Sequence, residues 1–65
     1  MIRVTPQELQ ILLKGRFGHG IQKDIAKIAK VTDGQVSNVI AGRKKSRLVM
    51  AVIASKLGDQ VELIT

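Results

Sequence analysis

Apolar residues recur three and four positions apart along most of the chain, and this spacing predicts helices. Leu9, Leu12, Leu13 and Phe17 give the stripe of a first helix. Thr5-Pro6-Gln7-Glu8 stands at its start. Threonine suits the N-cap, proline suits the first helical position, and the glutamate is placed to reach back as a capping box. Val4 and Leu9 are spaced as a hydrophobic staple. The helix is expected to fade through Gly15 and to stop by Gly18. Ile21, Ile25, Ile28 and Ala29 form the stripe of a second helix, with Gln22, Lys23, Lys27 and Lys30 turned to solvent or a partner. Thr32-Asp33-Gly34-Gln35 reads as a second capping box, opening a third helix that buries Val36, Val39 and Ile40 and ends near Ala41-Gly42. A fourth helix is expected from Ser46 or Arg47 to Leu57, with Gly58 as a left-handed cap. Its inward face is read as Met50, Ile53, Ala54 and Leu57, which leaves Leu48, Val49 and Val52 as a second apolar stripe.

The two ends alternate with period two instead. Ile2 and Val4 oppose Arg3 and Thr5; Val61 and Leu63 oppose Gln60 and Glu62. They read as short strands pairing antiparallel, with a frayed helical turn over Gln60 to Thr65 as the alternative. The pattern describes a single, mainly α domain over residues 1–65, with four compact helices and two short strands.

Composition narrows the function. The chain has 65 residues, 11 Lys+Arg against 5 Asp+Glu, a net charge of +6, no cysteine and one aromatic residue. This length suits one small domain and disfavours enzymes that need a deep interdomain cleft. The longest apolar run, Leu48 to Ala54, falls short of the ~18 residues that span a bilayer, and no secretory signal pattern is visible. One histidine, no cysteine and scattered carboxylates assemble neither a metal cage nor a nucleophile–base–orienter set, so no metal, cofactor or catalysis is expected. His19, between two glycines, reads as a loop residue; Met50 and Phe17 read as core. The excess of cations points to a polyanion.

The second and third helices carry the most specific signal. Ala26, Val31, Val36 and Val39 fall four, nine, fourteen and seventeen residues after Gln22. A small residue at 26 lets two helices approach. An apolar residue at 31 plugs the corner after the turn, and 36, 39 and 40 bury one face of the next helix. This pattern resembles the helix-turn-helix of the Cro/C1-type (lambda-repressor-like, XRE) family of phage and bacterial DNA-binding proteins. The resemblance covers Pro6 to Gly58, with the helix-turn-helix unit at about residues 21–41. The chain departs from the family at the turn, where Lys30 replaces the usual glycine and a left-handed lysine costs roughly 1 kcal/mol.

The resemblance implies a lambda-repressor-like four-helix fold and a sequence-specific, double-stranded DNA-binding regulator, a homodimeric Cro-like repressor acting by promoter occlusion. The third helix would enter the major groove. Thr32, Asp33, Gly34, Ser37, Asn38 and Ala41 are then the candidate base readers. Asn38 suits adenine, Ser37 several bases, Ala41 a thymine methyl, and Gly34 close approach. For Asp33, the alternative is a helix-dipole anion. Gln22 takes the family's phosphate-binding position, with Lys23 beside it. Gln35, Arg43, Lys44, Lys45 and Arg47 are the other phosphate candidates; for the basic run the alternative is a solvated loop. Leu48, Val49 and Val52 are the candidate dimer interface, the alternative being terminal arms folded over them. The expected setting is cytoplasmic, with operator DNA and a second copy as partners, no membrane and no small-molecule ligand. An antitoxin-type or other protein-interaction module on the same fold is the second reading. RNA or single-strand binding lacks stacking aromatics.

Overall fold

The caps set the helices. In the computed structural model, which describes residues 1–64, Thr5 Oγ1 accepts the Glu8 N–H at 3.2 Å, and a Glu8 carboxylate oxygen accepts the Thr5 N–H at 2.9 Å. This box opens α1 (Pro6–Phe17). Then follow α2 (Ile21–Ala29), α3 (Asp33–Ile40) and α4 (Arg47–Leu57), with β1 (Ile2–Val4) and β2 (Val61–Leu63) at the two ends. Ser46 Oγ accepts the Val49 N–H at the start of α4, and left-handed Gly58 closes that helix. The domain is mainly helical, with four helices and two short strands. Thr65, placed in the last strand by the sequence pattern, lies outside the described residues.

The core is wholly aliphatic. Leu9 and Leu13 of α1, Ile21, Ile25, Ala26 and Ala29 of α2, Val36, Val39 and Ile40 of α3, and Val49, Ile53 and Leu57 of α4 are buried, with no buried polar side chain among the described residues. Several expected positions differ. Phe17 is 41% exposed, because α1 leaves the core one turn after Leu13; its ring instead lies 5.9 Å from the Lys56 ammonium. Ile28 is 54% exposed, because α2 is rotated so that the small Ala26 and Ala29 face inward. On α4 the inward line is Val49, Ile53 and Leu57, spaced by four, while Met50 and Ala54 are only half-buried. Val49 is therefore a core residue of its own chain and is not available to a partner. Leu48 stays exposed and Val52 half-buried.

The terminal strands pair parallel, not antiparallel, with Ile2, Arg3 and Val4 opposite Val61, Glu62 and Leu63. Parallel pairing requires a long crossover, and the four helices between the strands supply it. Ile2 N–H donates to Gln60 O at 2.7 Å and Ile64 N–H to Val4 O at 2.8 Å. Arg3 meets Glu62 across the pair at 3.6 Å, and the Met1 ammonium meets Asp59 at 3.3 Å. Ile2, Val4, Val61 and Leu63 pack against the core edge.

The hydrogen bonds from the Thr5 backbone and then its side chain hold the Glu8 carboxyl below its ordinary pKa of 4.5. A depressed carboxylate pKa stabilises above the unfolded value, and that contribution is lost as pH falls through the folded value. Thermal midpoints of wild type should therefore drop between about pH 5 and about pH 2 more steeply than those of Glu8→Gln. Equal slopes would remove the capping carboxylate from the stability balance.

Candidate nucleic-acid interface

The connection from α2 to α3 is three residues long. Lys30 has φ 58° and ψ 45°, a left-handed conformation, and is the one described non-glycine residue with positive φ. The following Val31 N–H donates back to Ala26 O at 3.0 Å, closing a Schellman turn. A lysine thus holds a left-handed conformation that residues with a side chain rarely adopt. Thr32 then caps α3. Its Oγ1 accepts the Gln35 N–H at 3.1 Å, and its N–H donates to Gln35 Oε1 at 3.2 Å. The two hydrogen bonds pin the helix start at Asp33.

Val36, Val39 and Ile40 face the core. Thr32, Asp33 and Gly34 are exposed, while Gln35, Ser37, Asn38 and Ala41 are half-buried. The structure thus leaves every candidate base reader at least partly open to solvent. A Cβ built on Gly34 would meet only Thr32 Oγ1, at 3.9 Å, so the chain's own packing does not demand glycine there.

The end of α3 is a second Schellman turn. Gly42 is left-handed at φ 80° and donates to Val39 O at 3.1 Å. Arg43 and Lys44 N–H groups both donate to Asn38 O, at 2.9 and 3.2 Å. The fold-back brings the Arg43 side chain onto α3, where its Nε–H donates to Asn38 Oδ1 at 3.1 Å. The resemblance implies separate tasks for these two side chains; the structure joins them by a hydrogen bond.

Arg43, Lys44, Lys45 and Arg47 are exposed, and none forms an ion pair among the described residues. The carboxylates are engaged elsewhere. Asp59 pairs with the N-terminus, Glu62 with Arg3, and Asp24 with Lys56 at 2.6 Å, while Glu8 serves the α1 cap. Only Asp33 lies at the α3 start, in its first turn, where an anion complements the helix dipole. The loop after α3 therefore carries four cations outside any ion pair among the described residues, with Glu62 in the hollow that Lys44, Lys45 and Arg47 line.

A hollow of mixed charge lies on the α2 side of the turn. Lys23 and Lys27, one helical turn apart on α2, line an open hollow with Phe17, Asp24, Val31 and Asp33. Gln22 is half-buried and is not among its lining residues. Lys27, four residues after Lys23, stands on the same side of α2.

Among the described residues no group of three histidine or carboxylate side chains could hold a metal ion, and no helix is long and apolar enough to cross a membrane. No family model matches the chain, and no curated protein or solved structure matches it.

Two substitutions test the local construction. Lys30→Gly should relieve the left-handed lysine and stabilise the fold by about 1 kcal/mol, read as a rise in urea midpoint. An unchanged midpoint would mean that the turn stores no strain. Gly34→Ala should raise stability by roughly 0.5–1 kcal/mol, since helix propensity improves and nothing obstructs the methyl. If α3 lies close against a duplex, the same variant should bind DNA more weakly than wild type; unchanged or tighter binding would remove close approach as Gly34's role.

Proposed function

We propose that the chain is a sequence-specific, double-stranded DNA-binding transcriptional regulator, with α2, the Lys30 turn and α3 acting as a helix-turn-helix. It works as a dimeric Cro-like repressor that occludes a promoter. The observation that carries this reading is the outward face of the capped α3, followed by four exposed cations that form no ion pair among the described residues. Such a helix presents side chains to base edges in the major groove, and unpaired cations beside it bind phosphates and release counterions. Thr32, Asp33, Gly34, Ser37, Asn38 and Ala41 face the bases. Gln22, Lys23, Gln35, Arg43, Lys44, Lys45 and Arg47 follow the backbone, joined by Lys27.

Selection from a random duplex library, repeated at two salt concentrations, tests this. The expected result is a palindromic motif with half-sites about ten base pairs apart. If each protomer neutralises about 4 phosphates, the salt slope is about −3.6 per protomer. Lys44→Ala should weaken binding to selected and unselected duplexes alike and make that slope shallower by about 1. Enrichment of no motif, with binding lost at moderate salt, would reduce the protein to generic phosphate affinity.

With Val49 in the core, the dimer contact falls to the outer face of α4. Leu48, Ala51, Val52 and Ser55 form an uncharged strip there, and Ile28 of α2 lies beside the last three. Leu48→Glu should sediment as a monomer while keeping its helical circular dichroism; a retained dimer would rule out this face.

A further inference from the structure

A Schellman turn brings together the side chain at the third residue from the helix end and the side chain two residues beyond the cap. An apolar contact usually fills that position. At the end of α2 the pair is Ala26 and Val31, and both pack in or against the core. At the end of α3 the pair is Asn38 and Arg43, and the contact is a hydrogen bond from Arg43 Nε–H to Asn38 Oδ1 at 3.1 Å. The acceptor must be Oδ1, because a guanidinium offers only donors. The same Asn38 residue also accepts the Arg43 and Lys44 backbone N–H groups through its carbonyl. Asn38 thus holds the backbone and the side chain of Arg43 together.

This arrangement changes what each residue offers to a duplex. Asn38 reads adenine by accepting from N6 and donating to N7. Here one of the two lone pairs of that acceptor already serves Arg43, and the bond ties the amide to the guanidinium. Arg43 has spent its Nε–H internally and keeps its two terminal nitrogens. A guanidinium held through Nε keeps two parallel donors at its free end. In the major groove guanine offers two acceptors on one edge, O6 and N7. Holding a long side chain in place beforehand reduces the rotamer entropy lost on binding.

We infer that Asn38 and Arg43 act as one reading unit, in which Arg43 contacts a guanine through its terminal nitrogens and Asn38 is the positioning residue that aims it. The inference rests on the DNA-binding reading above and assigns its specificity-determining contact. It moves Arg43 from the phosphate set to the base-reading set, and Asn38 from adenine reader to support.

The test uses the full chain and the duplex that wild type selects from a random library. Each motif guanine is replaced in turn by 7-deazaguanine, which lacks the N7 acceptor. Binding is measured for wild type, Arg43→Lys, Asn38→Ala and Asn38→Asp, with thermal unfolding recorded for each. One guanine should be sensitive in wild type, losing roughly tenfold or more in affinity on replacement. Arg43→Lys keeps the charge but has neither the Nε–H nor the fork, and should show no more than about a twofold response at that guanine. Asn38→Ala should lose most of the response with its unfolding midpoint little changed. Asn38→Asp keeps an acceptor for Nε–H and should retain the response even if its added charge weakens binding generally. That rescue is not expected of a merely structural asparagine. If Arg43→Lys responds as wild type does, or if the motif contains no sensitive guanine, the inference is overturned while the DNA-binding reading stands. If wild type selects no motif, the DNA-binding reading itself fails and the inference goes with it.

Discussion

Burial of one face of α2 is the interaction on which the rest of the structure depends. Ile21, Ile25, Ala26 and Ala29 are all enclosed, and α2 packs against α1, α3 and α4. A domain this small buries a modest fraction of its surface, so its central helix has to serve all its neighbours. Two alanines on that face let α2 approach closely. The cost is that Ile28, a larger apolar residue, is turned outward. The outward α4 strip beside Ile28 and the hollow lined by Lys23 and Lys27 both follow from the same rotation of α2.

The helix ends do the remaining work of placement. Three Schellman-type turns, after α2, α3 and α4, return the chain sharply on itself. Two use glycine at the left-handed position and one uses Lys30. The core tolerates that strained lysine because Val31 and the Thr32 cap fix the chain on its C-terminal side. Charge is arranged by the same local geometry. The acidic side chains close caps, strands and the α2–α4 contact, which leaves the loop after α3 positive. The candidate surface thus owes its character as much to where the carboxylates are engaged as to where the cations stand.

Much of this was legible beforehand. Both capping boxes, the helix order, the short connection at Lys30 and the outward set on α3 were readable because they depend on residues within a few positions of each other. The failures share one cause. Phe17, Ile28 and Val49 all lie on helices with more apolar residues than one face can bury. Periodicity then offers two rotations, and only packing against neighbours selects between them. Asn38 and Arg43 were each visible as candidates, but their bond depends on a helix-end geometry that joins positions five apart.

The sequence by itself determined the four helices, their capped starts and the excess of cations after α3, since propensity, capping and composition are local. Tertiary structure decided the rest. The alternation at the two ends puts Arg3 opposite Glu62 in either a parallel or an antiparallel pair, so the pattern carries no direction. The path of four packed helices sets that direction, delivering β2 alongside β1 with Met1 beside Asp59. The same packing made Val49 core and left Leu48 outside, because the rotation of a helix about its axis is fixed by its neighbours and not by its own residues.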